Sequence, residues 1–216
     1  MHATMNRAVM TDDLSIGRPP AAARTQFREQ GFVEIDDLWT ADLRTAIADE
    51  AGELYAAAIV PVDGPRTPVV AAQATGKVTP VARGPLLERL HDALTPLVRQ
   101  LAGKLLVPSF ANYGYFPDDD GTILHLDTDA TEIVVLTTAL GAVGDLRVHP
   151  DLQGSSPDEL GQRESDPDWS RYAGQPLRYP ALGAAVLRGA AIPHSRPATP
   201  VASLSAVAAL HYRSPF

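Results

Sequence analysis

Beyond Val107 the chain changes its hydrophobic period. Before that point apolar residues recur at helical spacing. Leu87, Leu90, Leu94, Leu97, Val98, Leu101 and Leu105 form one stripe; Leu43, Ala46, Ile47, Leu54, Tyr55 and Ala58 form another, which Thr40 can cap. After it, short β-rich runs alternate with turn signals. They are Phe110 to Phe116, the acidic turn Asp118-Asp119-Asp120-Gly121, Thr122 to Asp127, Glu132 to Ala139, Asp145 to His149, Arg178-Tyr179, Ala184 to Arg188 and Val201 to Tyr212. Helices first and a series of short strands afterwards specify an α+β chain whose second half is a β-sandwich or barrel.

That order divides the chain into a loose tail at 1–20 and one domain over 21–216. The domain has helical support at 21–104 and a β-core at 105–216, with an insertion at 151–176. A first helix from Ala21 to Gln30 stops at Gly31, a natural residue for the left-handed C-terminal cap, and Phe32, Val33 and Ile35 suggest a strand. Pro96 is expected to bend or divide the long helix. Residues 60–84 are rich in proline and glycine and read as an ordered loop or flap, whereas 151–176 is polar and reads as a solvated lid.

Composition narrows the function. The chain has 216 residues, no cysteine, and 26 acidic against 18 basic residues. Without cysteine there are no disulfides, zinc ribbons, iron–sulfur clusters or thiol nucleophiles. A formal charge of −8 argues against nucleic-acid binding, which needs a basic stripe. No apolar run is long enough for a membrane helix. The first residues lack the apolar segment of a signal peptide, so a cytoplasmic location is expected. The partner left by these exclusions is a small molecule; the oligomeric state is not legible.

Chemistry must then come largely from six histidines. His2 lies in the tail and His91 near the polar side of its helix, so both read as surface residues. His125-Leu126-Asp127 is different, because residues i and i+2 of a strand share a face and would present an imidazole beside a carboxylate. A second histidine, His194, follows a glycine turn, an apolar strand and the turn Gly189 to Pro193. Two histidines and one carboxylate make a facial metal triad with open positions, a set that suits Fe(II), whereas structural zinc would want a fourth ligand. His149 and His211 read as structural or substrate-facing.

At these residues the chain resembles the Fe(II)/2-oxoglutarate-dependent oxygenase superfamily, in the style of its phytanoyl-CoA and prolyl hydroxylase-like branches. The likeness covers roughly 105–213. It is carried by Tyr113-Gly114-Tyr115, His125-Leu126-Asp127, Gly144 to Pro150, Gly183 to Leu187 and Pro193-His194, with Phe27 to Asp36 resembling the opening element of many members. The resemblance implies a double-stranded β-helix, or jelly roll, flanked by N-terminal helices. It implies Fe(II) held by His125, Asp127 and His194, 2-oxoglutarate as co-substrate and O2 as oxidant. The activity implied is a dioxygenase that hydroxylates or otherwise oxidises a small molecule, with amino acids and natural products the classes suggested by analogy. Halogenating members carry a small residue in place of the carboxylate, so Asp127 points away from halogenation.

One feature departs from the family. Many members anchor the far carboxylate of 2-oxoglutarate with a basic residue on the strand after the distal histidine, but no cation lies between Pro197 and Leu210 here; Ser203 and Ser205 fit that region loosely. A buried dianion needs a cationic partner. Arg196 is the first candidate, with Arg188, Arg147 and Arg213 as alternatives. Tyr115 stands where prolyl hydroxylase-like members often place a tyrosine against the 2-oxo acid, and Tyr113 shares its face. Two other readings remain: an iron enzyme of the same fold that does not use 2-oxoglutarate, and a metal-free jelly-roll binding protein.

Overall fold

The computed structural model describes residues 20–59, 71–72, 78–79, 81–116, 121–128, 130–164, 174–197 and 204–215. The expected tail, most of the 60–84 flap, the acidic turn at 118–120, the second half of the 151–176 insertion and Ser203 lie outside them.

Helix α1 (Ala21–Gln30) ends as the sequence predicts: Gly31 has φ 83° and its N–H donates to Phe27 O. Strand β1 (Phe32–Ile35) leads to α2 (Ala41–Ile59), where the Thr40 hydroxyl accepts the Leu43 N–H at 3.2 Å. The short strands β2 (Ala71–Ala72) and β3 (Val78–Thr79) pair with each other, and β4 (Val81–Ala82) joins the main sheet. Helix α3 (Pro85–Ala102) runs through Pro96 as one element and stops at Gly103, φ 69°. The expected division at Pro96 does not occur. Leu105 lies past the cap and is 56% exposed, so it is not part of the apolar stripe.

The remaining elements are β5 (Val107–Phe116), β6 (Thr122–His125), β7 (Ile133–Leu140), β8 (Leu146–Val148), a 3-10 turn at Pro150–Leu152, α4 (Pro157–Glu164), β9 (Gln175–Leu177), β10 (Ala184–Leu187), β11 (His194–Arg196) and β12 (Ser205–Arg213). They form two antiparallel sheets in the orders β1-β10-β7-β12-β5-β4 and β6-β11-β8-β9. From β5 to β8 and again from β9 to β12 successive strands alternate between the two sheets, the interleaving of a jelly roll, while β4–β5 and β8–β9 each pair within one sheet.

Two-residue alternation sorts the large sheet into two faces. Tyr113 and Tyr115 on β5, and Ala208, Leu210 and Tyr212 on β12, pack with Phe27, Ile47, Leu90 and Leu94 of the helices. Phe110, Asn112, Gly114 and Phe116, with Val207, Ala209 and His211, turn to the space between the sheets. With both faces covered, eight of the nine residues of β12 are buried.

A carboxylate fastens the helical layer. Glu50 of α2 is 4% exposed and accepts the Leu86 and Leu87 N–H groups, orphan donors of the first turn of α3, at 2.7 and 3.1 Å, and the Tyr113 hydroxyl at 2.8 Å. A Cβ at Gly84 would overlap the Glu50 carboxyl group, so a side chain there would displace the carboxylate from these bonds. His91 is a correction: it is buried, and its Nε2 donates to His211 O at 2.7 Å, tying α3 to β12. The first half of the insertion is also not a solvated loop, since Leu152 and Leu160 of the 3-10 turn and α4 pack on Leu124 of β6. Among the described residues no helix is long and apolar enough to cross a membrane.

Candidate metal centre and co-substrate cavity

Strand register brings the two histidines together. His125 and His194 are direct partners across the β6–β11 pair, and their ring centroids lie 4.3 Å apart. Asp127 arrives by another route. It sits past the end of β6, where its N–H donates to Gly189 O at 2.9 Å. That turn places Oδ1 3.8 Å from Nε2 of each histidine. One ligand atom from each of the three lies within 4.8 Å of the others. The carboxylate thus reaches the site from a loop held by the Gly189 turn, not by alternation along the strand.

The ring orientations are set for coordination. Nδ1 of His125 donates to Ile123 O at 2.8 Å, and Nδ1 of His194 donates to Ile192 O at 2.9 Å. A carbonyl only accepts, so Nδ1 of each ring carries a proton, and each Nε2 faces the Asp127 carboxylate. Burial, reinforced by His125, pushes the His194 pKa down to about 3, so the imidazole is neutral. Burial also raises the Asp127 carboxyl, an effect opposed by His211 and His125. Asp127 Oδ2 is buried and has no hydrogen-bond partner. Two imidazoles and an orphaned carboxylate oxygen, all converging, fit a divalent transition metal.

The triad opens on a cavity of about 440 Å³ between the two sheets. Arg196 lines it and is 4% exposed, with its guanidinium carbon 3.8 Å from the Phe116 ring centroid. The other arginine candidates do not line it. Arg188 lies over Phe27 of α1, Arg147 alternates with the inward Leu146 and Val148, and Arg213 is exposed.

Three sequence expectations need correction. Tyr113 and Tyr115 do share a face, but it is the helix face: Tyr113 donates to Glu50, and Tyr115 donates to Ala51 O at 2.8 Å. Neither lines the cavity. Ser205 directs its hydroxyl at Phe116 O, 3.4 Å away, and does not line the cavity either. The sequence assigns Gly189, Phe110 and Thr131 no part in the site and marks His211 only as structural or substrate-facing. His211 lines the cavity, stacks on Phe110 at 3.9 Å and 16°, and has Nδ1 3.1 Å from Thr131 Oγ1.

No family model matches the chain, and no curated protein matches it in sequence. Solved structures match in fold. The non-heme alpha ketoglutarate dependent epimerase SnoN from nogalamycin biosynthesis is 16% identical, with a TM-score of 0.66 over 90% of this chain and 84% of that one. AviO1 from Streptomyces viridochromogenes is 17% identical, with a TM-score of 0.64 over 93% and 96%. HygX from Streptomyces hygroscopicus, solved with nickel and 2-oxoglutarate bound, is 16% identical, with a TM-score of 0.64 over 91% and 88%. The chain has the jelly-roll fold of the non-haem, 2-oxoglutarate-dependent enzymes.

Proposed function

We propose that the chain is a non-haem Fe(II)/2-oxoglutarate-dependent oxygenase that oxidises a small molecule, with residues 21–216 as its catalytic unit. The observation that carries the reading is the convergence of His125, Asp127 and His194 in the cavity that Arg196 also lines. In this reading the three residues hold Fe(II), with both histidines donating through Nε2. An iron bound there supplies the O2 chemistry that no side chain provides. Arg196 pairs with the far carboxylate of 2-oxoglutarate, and Phe116 holds the guanidinium in place from one side. In this reading Arg196 supplies the cation whose absence between Pro197 and Leu210 made a 2-oxoglutarate-free enzyme credible.

The remaining space is for the substrate. Solved proteins of this fold include a prolyl-4-hydroxylase, an epimerase and a carbocyclase, so the outcome of the reaction depends on how the substrate is held at the metal. The test is an anaerobic titration of the Fe(II)-loaded protein with 2-oxoglutarate, followed by the weak visible band of the chelate. A saturable band that His194→Ala abolishes is expected. Iron binding without any band would favour the same fold working without 2-oxoglutarate, and no iron binding would favour a metal-free binding protein.

A further inference from the structure

We infer that the primary substrate is an uncharged small molecule with an apolar body and a hydrogen-bonding polar group, held at the Phe110–His211 end of the cavity. The inference rests on the oxygenase reading above. Apart from histidine, only two ionisable acid or base side chains among the described residues reach that cavity with a formal charge, Asp127 and Arg196. In that reading the metal takes one and the co-substrate carboxylate takes the other. The rest of the lining is uncharged side chains and His211, and it includes Phe110, Asn112 and Thr131 beside the small residues Gly114 and Ala209.

This end is fixed on several sides. Phe110 and His211 are direct partners across β5 and β12, and their rings stack. Thr131 Oγ1 holds His211 Nδ1, while His91 holds the His211 carbonyl from the helix side. The imidazole is therefore a positioned group in a mainly apolar wall. A neutral oxygen or amide group can exchange hydrogen bonds with such a wall, through Asn112 and His211. Among the described residues a charged group would leave water and find no further counter-charge in this wall, at a larger cost.

Three near-isosteric probes separate the charge states: benzamide, benzoate and benzamidine. They are titrated into protein loaded with Ni(II) and saturating 2-oxoglutarate, and binding is read by saturation-transfer NMR. Loading is first checked by calorimetry of 2-oxoglutarate into the Ni(II) protein; failure at that step rejects the oxygenase reading itself. With loading established, benzamide should bind, and both charged probes should bind about tenfold more weakly or worse. His211→Leu should weaken benzamide by a similar factor with 2-oxoglutarate affinity unchanged, and His211→Asn should retain most of the binding. Equal or tighter binding of either charged probe, no binding of benzamide, or benzamide binding untouched in His211→Leu would each overturn the inference.

Discussion

Asp127 and Gly189 share one small volume. A Cβ built on Gly189 would overlap Asp127 Oδ2, and the Gly189 carbonyl accepts the Asp127 N–H. The glycine is therefore the space into which the carboxylate turns toward the two histidines. Gly189→Ala should push the carboxylate off the shared centre while leaving the sheets intact. The expected result is weaker Ni(II) or Co(II) affinity by calorimetry, by about tenfold or more on the scale of ligand-support effects, with an unchanged circular dichroism spectrum. Wild-type metal affinity in this variant would show that Asp127 is not held by this contact.

Asp127 itself should trade stability for binding. Its Oδ2 is buried without a partner and its carboxyl is pushed upward by burial, so the ionised form is costly in the metal-free protein. Asp127→Asn removes that charge at nearly constant volume. Metal-free Asp127→Asn should be more stable than wild type at neutral pH, by about 1 kcal/mol or more. It should also bind metal poorly. Denaturant midpoints and metal titration check the two halves, and a destabilised variant would contradict the cost assigned to the charge.

The sequence carried these features unevenly. The caps at Gly31 and Thr40 and the change of period at Val107 depend on local residue types, and each appears where the sequence places it. The candidate triad was legible because histidine is scarce here, His125-Leu126-Asp127 is a compact motif, and His194 follows a glycine turn that opens a later strand. The Gly189 contact was not, because it uses a backbone carbonyl and the space of a missing Cβ, which no residue pattern marks apart from an ordinary turn glycine. Alternation placed Tyr113 and Tyr115 on one face but could not tell which, since β5 carries aromatic residues on both faces and both are covered. His91 looked exposed because the carbonyl that satisfies it belongs to β12. In 151–176, a polar composition hid the two leucines that pack α4 and its preceding turn onto Leu124.

Arg196 gives the sharpest test of the co-substrate end. Each charge-assisted hydrogen bond to a carboxylate is worth about 1.5–3 kcal/mol. Arg196→Ala should then raise the apparent 2-oxoglutarate constant by about one to two powers of ten with metal affinity unchanged. Arg196→Lys should recover only part of the loss, because an ammonium lacks the planar fork that stacks on Phe116. Unaltered 2-oxoglutarate dependence in Arg196→Ala would remove the residue from this role.

Glu50 should prove structural. Its carboxylate satisfies two N–H groups of α3 and the Tyr113 hydroxyl, all in the helix-packed core. Glu50→Ala leaves those donors buried, and each unsatisfied group costs about 1–3 kcal/mol. A loss of about 3 kcal/mol or more in unfolding free energy is expected, visible as a lower urea midpoint. Tyr113→Phe removes only one of the three bonds, so its loss should be smaller. A Tyr113→Phe variant as unstable as Glu50→Ala would place the energy in the tyrosine instead.

The buried histidines set a direction for the pH dependence of the metal-free protein. Burial, opposed by Asp127 and reinforced by His91 and His194, brings His211 from its ordinary 6.5 down to about 4. Between those values the unfolded chain binds a proton that the folded chain refuses, so stability rises with pH across the window. The His211 contribution is fully present above 6.5 and is lost as the pH falls toward about 4. His194, held lower still, acts in the same sense. Asp127 has the opposite sign, because its raised carboxyl favours the folded state at low pH and loses that contribution as the pH rises through its folded value. His211→Asn should therefore lose less stability than wild type between about pH 7.5 and about pH 5. Urea midpoints measured at the two values for both proteins give the comparison, and parallel losses would show that His211 does not exclude its proton in the folded state.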